Sequence, residues 1–129
     1  MDSLRKYTFK KEEKLCNIKM LEALFSGGNS FFSYPFRVLY TENSKTDDFP
    51  VKVVFTVPKK NIKLAVTRNL IKRRMREAYR LNKHLLYESA ERNGQRIVLA
   101  FIFTAKEPID YKQIEKGIVR AIKKISSLI

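Results

Sequence analysis

Residues 54–83 read VFTVPKKNIKLAVTRNLIKRRMREAYRLNK, and the fold turns on how this stretch divides. Its first four residues finish a β-branched run over residues 51–57, which predicts a strand, and Pro58 ends it. The pattern then changes from alternation to a helical period, with a helix expected from about 65 to 81. At about 100° per residue, Arg68, Lys72, Arg76 and Arg80 follow one another at four-residue steps, and Arg73 stands on the adjacent row. Ile71, Met75 and Ala78 fall on the other side, with Leu70 and Leu81 at its margin and Tyr79 at the opposite margin. One side is a cationic ridge and the other can anchor to a sheet. Arg74 falls among the apolar positions, and periodicity does not place it.

Outward from this segment the next strand is residues 96–104, apolar almost without a break and so expected at the centre of a sheet, covered on both faces. The basic helix lies between two strands, which makes the core arrangement strand, helix, strand. At the C-terminal end Asp110 and Gln113 resemble a capping box ahead of Tyr111, Ile114, Ile118, Ile122, Ile125 and Ile129, a single apolar stripe. On the other side, residues 31–41 are aromatic and β-branched but interrupted by Pro35, which predicts a short edge strand or bulge before a main strand over 36–41. A polar stretch, 42–48, closes a hairpin loop. The first helix is expected over 12–25, where Leu15, Ile18, Leu21 and Phe25 recur at helical steps before Gly27 and Gly28, and Cys16, Met20 and Leu24 form a second apolar line. At 129 residues the chain fits one domain, with disorder confined to the ends and residues 1–11 flexible.

The charge is concentrated. The chain carries 27 Lys and Arg against 13 Asp and Glu, a net +14. Residues 59–83 hold ten bases against the single acid Glu77, a local +9, and the rest of the chain, 17 bases against 12 acids, holds +5. Like charges at four-residue spacing weaken an isolated helix by a few tenths of a kcal/mol per pair. A solvated helix would interleave acids; a helix without them makes sense when phosphates supply the negative charge and release their counterions. Arginine adds a planar fork that grips a phosphate through two hydrogen bonds or stacks on a base. Nucleic acid is therefore the first expectation for a partner. An anionic membrane is a poorer one, since the apolar face lacks Trp and Phe and is needed for the core. A DNA recognition helix would follow another helix through a tight turn, whereas this one follows a strand. Cys16 alone excludes an internal disulfide and is expected as a buried thiol in a reducing cytoplasm. No signal peptide or membrane-spanning run is present, so a cytoplasmic location is expected.

In order, spacing and context, residues 54–83 resemble the signature of the protein component of bacterial ribonuclease P: a strand ending in Lys59-Lys60, a short loop, Ala65-Val66, Arg68-Asn69, Lys72-Arg73, then Arg76-Glu77-Ala78 and the aromatic Tyr79. The resemblance implies an α/β (α+β) two-layer sandwich, ribosomal-protein-S5-domain-2-like, with about four strands in a mixed sheet, three helices and a left-handed crossover through the basic helix. It implies that the chain assists an RNA subunit whose magnesium-dependent hydrolysis removes the 5′ leader of precursor tRNA. The partners it implies are that RNA and precursor tRNA. No membrane and no obligate protein partner are expected, and no cofactor on the protein itself. Carried over, Lys59, Lys60, Arg68, Asn69, Lys72, Arg73, Arg76 and Arg80 become RNA contacts. A leader groove would lie between the first helix and the exposed sheet face, with Leu21, Phe25, Phe36, Val38 and Tyr40 as candidate lining; alternation permits either face, and aromatics there would stack unpaired bases. The chain departs from the pattern in three ways. Leu70 stands where the family has a second Arg, so Arg73 or Arg74 is the candidate substitute; the loop after Lys60 is one residue longer and has no Gly; Leu21 precedes Phe25 where the family pairs two aromatics.

Two alternatives stand beside this one. A nuclease with its own active site needs clustered carboxylates or His, and the sequence offers only Asp47 and Asp48 in a loop and the lone His84. No catalytic or metal-binding residue is therefore expected. A ribosomal or other structural RNA-binding protein is the alternative, since a fold does not determine a function.

Overall fold

The computed structural model describes residues 24–42 and 50–129. Leu21, Cys16, most of the expected first helix, residues 1–11 and the loop carrying Asp47 and Asp48 lie outside the described residues. After a helical turn at residues 24–27, the chain forms β1 (Asn29–Ser33), β2 (Phe36–Glu42), β3 (Val51–Thr56), α1 (Ala65–Asn82), α2 (His84–Arg92), β4 (Ile97–Phe103) and α3 (Tyr111–Leu128).

The strands make one sheet in the order β1-β2-β4-β3. β2 pairs antiparallel with both β1 and β4, while β3 runs parallel to β4, so the sheet is mixed. A parallel pair needs a crossover, and α1 with α2 supplies it. The expectation of a short edge strand broken at Pro35 is met: β1 and β2 join through a tight turn at Tyr34 and Pro35, and the carbonyl of Pro35 accepts from both the amide and the hydroxyl of Thr104, 2.8 Å each.

Alternation along the strands sorts their side chains into two cores. Phe36, Val38, Val53, Phe55, Leu99, Phe101 and Phe103 point to the side of the helices, where Ile71, Met75 and Tyr79 of α1 and Ile114, Ile118 and Ile122 of α3 meet them. Phe55 stacks on Phe101 with ring centres 5.7 Å apart, and Tyr79 meets Phe55 edge-on at 5.6 Å. Leu39, Val98 and Ala100 point to the opposite side and are covered in part by Leu24. β4 is thus covered on both faces, as its unbroken apolar sequence predicts.

The second helix of the crossover, α2, was not anticipated. Lys83 alone separates it from α1, and its backbone stays right-handed helical. The signals were present in Leu86 and Ala90, both buried four residues apart, and in Asn93-Gly94 behind them. Gly94 adopts φ +64°, and the amides of Gly94 and Gln95 bond back to the carbonyls of Glu91 and Ala90, a glycine-dependent helix stop. α3 begins where its capping pattern places it: the side chain of Asp110 accepts from the amide of Gln113 at 3.0 Å.

Candidate nucleic-acid interface

The apolar stripe of α1 is Ile71, Met75, Ala78 and Tyr79, all fully buried, so Tyr79 belongs to the core rather than to its margin. Burying each large side chain of this set stabilises the docked helix by roughly 1.5–3 kcal/mol, far more than the few tenths lost per like-charged pair. Packing therefore holds a row of cations together. Asn69, Arg73 and Arg76 are exposed, and Lys72 is half-buried beside them.

Two members of the predicted ridge have partners within the chain. Arg80 is clamped by Glu77 through two bonds of 2.9 and 2.8 Å, a pair that lowers the Glu77 pKa and raises that of Arg80. Its charge is offset locally, so the ridge weakens toward the C-terminal end of α1. Arg68, half-buried, donates from one Nη to the carbonyls of Ile62 and Lys63 at 2.9 and 2.8 Å. It fixes the loop that precedes α1. Arg74, unplaced by periodicity, reaches out of the apolar stripe to donate to the carbonyl of Ile109 at 3.2 Å, pinning the segment ahead of α3.

That loop carries Lys59, Lys60 and Lys63, all exposed. It closes without glycine: the amides of Asn61 and Ile62 both bond to the carbonyl of Pro58, Ile62 is buried, and the Asn61 side chain donates to the carbonyl of Phe103. Among the described residues only Gly94 has a positive φ, so the longer loop needs no left-handed residue. Arg68 thus ties a loop of three exposed lysines to the start of the helix that carries the exposed Arg73 and Arg76.

The groove candidates divide. Phe36 and Val38 are fully buried on the helix side of the sheet, and Tyr40, on the same face by alternation, packs edge-on against Phe31 at 5.9 Å. These three are core or core-margin residues and do not line the opposite face. Alternation left either face open to them, and β2 turns this bulkier set toward the helices. The face they were expected to line is built from the alternate residues. Phe32 lies opposite Arg37, Arg37 opposite Ile102 and Ile102 opposite Thr56, one row across the whole sheet. Phe32 and Arg37 are exposed, Ile102 and Thr56 half-buried. Phe25, 56% exposed, stands on the helical turn that Leu24 anchors to this face. Sequence reasoning missed Phe32 and Arg37, whose signal was an aromatic and a cation one step out of phase with the strand core.

Among the described residues no three His, Cys, Asp and Glu side chains gather as metal ligands would, and no helix is long and apolar enough to cross a membrane.

Comparison with known proteins agrees with this architecture. The family model described as Ribonuclease P matches residues 9–126. The ribonuclease P protein component of Porphyromonas gingivalis is 32% identical over 126 residues, covering 98% of this chain and 92% of that protein. That of Chlorobaculum tepidum is 38% identical over 90 residues, covering 64% and 58% of the respective chains. Among solved structures, the ribonuclease P protein of Thermotoga maritima superposes with a TM-score of 0.68 at 23% identity, covering 87% of this chain and 96% of its own. That of Staphylococcus aureus gives 0.65 at 23%, covering 88% and 94%.

Proposed function

From the premise that the chain belongs to the ribonuclease P protein family, we propose that its loop lysines and α1 ridge hold the ribonuclease P RNA, and that the opposite sheet face receives the 5′ leader of precursor tRNA. The chain is the protein subunit of a ribonucleoprotein endoribonuclease of tRNA processing and works with the ribonuclease P RNA. The residues that carry the RNA-binding reading are Lys59, Lys60, Asn69, Lys72, Arg73 and Arg76, with Arg80 at the offset end of the row. Arg68 supports them twice: it keeps its charge in the surface and it shapes the loop from which the lysines project.

The single observation behind this assignment is a row of like charges on α1, behind a loop of exposed lysines, held side by side by a buried stripe. Such a row gains from a phosphate backbone through counterion release. The leader assignment draws on the row of Phe32, Arg37 and Ile102 with Phe25 nearby, an aromatic and cationic face suited to unpaired bases and their phosphates without reading sequence. In this reading the hydrolysis belongs to the RNA, with magnesium supplied in the RNA-containing enzyme, and the setting is the cytoplasm.

Reconstitution tests it. The full chain added to a bacterial ribonuclease P RNA at low magnesium should raise the rate of leader removal, and the protein alone should cleave nothing. Replacing Lys72, Arg73 and Arg76 together with Gln should flatten the slope of log affinity against log salt by about two to three units if each side chain meets a phosphate. An unchanged slope would remove these three from the phosphate contacts; cleavage by the protein alone would overturn the accessory role.

A further inference from the structure

The charge of this chain resides almost wholly in two places, and α1 accounts for only one. Residues 59–83 hold +9 of the net +14; α3, residues 111–128, holds five bases against the single acid Glu115, a further +4, which leaves +1 for everything else. Four of the five bases on α3 fall into a row: Lys112, Lys116, Arg120 and Lys124 stand at four-residue steps, all exposed, with no acid interleaved. Glu115 lies off this row, beside Asn82 of α1. The arrangement repeats the spacing of the α1 ridge on a second helix, with the same uncompensated repulsion.

The row ends at aromatic residues on the β1 edge. Arg120 donates to the carbonyl of Tyr34 at 3.1 Å, and the ammonium of Lys124 sits 4.6 Å from the centre of the Phe31 ring. Phe32 and Tyr34, 61% and 48% exposed, meet edge-on beside them. Together these residues line an open recess of about 280 Å³. β1 and β3 are the two edges of the sheet, about 15 Å apart at the usual strand spacing, so this recess lies away from the strand that leads into the α1 loop.

We propose that the exposed row of α3 and the Phe32–Tyr34 edge form a second RNA-binding surface, one that takes unpaired nucleotides. The row binds phosphates, and the two exposed rings stack bases. Phe32 also borders the opposite sheet face through its pairing with Arg37, so a strand lying on that face meets this surface as it passes the β1 edge. The inference rests on the chain being an RNA-binding subunit, and is independent of which α1 residues touch RNA.

The test uses the full chain and a labelled oligoadenylate about 15 nucleotides long, within the range of single-strand site sizes. Replacing Lys112, Lys116 and Lys124 with Gln should flatten the salt slope by about two units, since each phosphate contact on a single strand contributes roughly 0.7. Replacing them with Arg should preserve it. Phe32→Ala with Tyr34→Ala should weaken oligoadenylate binding about tenfold or more, leave the slope in place, and spare a duplex RNA of equal length. Thermal unfolding should stay near that of the unaltered chain, because the replaced side chains are exposed. The losses should multiply with those of the Lys72, Arg73 and Arg76 replacement. An unchanged slope and affinity in the α3 and aromatic variants, with binding lost only in the α1 variant, would confine RNA to α1 and overturn this proposal while leaving the subunit assignment intact. Conversion of a dimer to a monomer by the aromatic replacements, with RNA binding retained, would make the patch a self-interface and overturn it equally.

Discussion

The helices α1 and α3 are both 18 residues long, lie against the same face of the same sheet and carry bases at four-residue steps, yet they are built to different tolerances. α3 is capped by Asp110 and buries six residues, Ile114, Gly117, Ile118, Ala121, Ile122 and Ile125. α1 buries four, and at its start Leu64 offers no side chain to the first-turn amides. α1 further commits two arginines to carbonyls outside itself, Arg68 to the loop at its start and Arg74 to the segment ahead of α3. The contrast teaches that the helix with the denser charge has the weaker intrinsic claim to be a helix. Its conformation is imposed by Ile71, Met75 and Tyr79, which frees its outer face for cations that would not choose to be neighbours.

The sharpest way to break this contrast is Gly117→Ala. A Cβ there would fall 2.4 Å from the carbonyl oxygen of Tyr34 and 2.9 Å from Cδ of Pro35. The obstructing oxygen is backbone, held by Arg120, and the Gly117 carbonyl accepts from Ser33, so neither side can yield cheaply. Against a helix-propensity gain of about 1 kcal/mol, overpacking of this kind costs up to about 3 kcal/mol. With the hydrogen bonds at the contact disturbed as well, a net loss of about 2 kcal/mol is expected in denaturant unfolding. Unaltered stability would mean that α3 does not seat as tightly as its geometry indicates.

Caps give the next largest effect, and they run in opposite directions on the two helices. Asp110→Ala removes a cap from α3 and should cost about 1 kcal/mol. Leu64 has the extended backbone of a capping residue, φ −79° and ψ 125°, and is 71% exposed, so Leu64→Ser adds a cap to α1 at little loss of burial and should stabilise by about the same amount. Leu64→Asp should stabilise too, through the helix dipole, but it places a negative charge among Lys59, Lys60 and Lys63 and should weaken RNA binding where Ser does not. If Ser and Asp affect binding alike, the loop lysines are not part of the RNA surface.

The contrast also explains what was legible in the sequence. α3 could be read almost residue by residue, because its cap and stripe are local signals and nothing external shapes them. The strands and the break at Pro35 were legible for the same reason. The ridge of α1 was legible as spacing, but the duties of Arg68, Arg74 and Arg80 were not, since each depends on a carbonyl or carboxylate placed by tertiary structure. α2 was obscured by its single-residue junction with α1. The choice of sheet face for the groove residues was beyond period-two reasoning: alternation separates Phe36, Val38 and Tyr40 from Arg37 and Leu39 but carries no sign. Only the helices packed on one side supply it. The second basic row was present in the sequence at the same spacing as the first; the apolar stripe of α3 accounted for that helix so fully that its other face went unread.

The smallest effect tests whether the offset at the end of α1 is functional. Glu77 is the one acid in a basic segment, and its two bonds to Arg80 hold its pKa below the ordinary carboxylate value while lifting that of the arginine. A carboxylate lowered in the folded state contributes stability above its unfolded pKa, near 4.3 for Glu, and that contribution disappears as pH falls through the lower folded value. Because the pair is exposed, its share of stability at neutral pH is small, and Glu77→Gln should move the unfolding midpoint little while removing part of its decline in acid. The binding effect has the other sign. With the carboxylate gone, the Arg80 charge is no longer offset by Glu77 and adds to those of Lys72, Arg73 and Arg76, so affinity for ribonuclease P RNA should rise a few-fold and the salt slope should steepen by up to about one unit. A variant that bound RNA less well would show that the Glu77–Arg80 clamp orients Arg80 for its phosphate, and the ridge would then extend along the full length of α1 instead of fading at its C-terminal end.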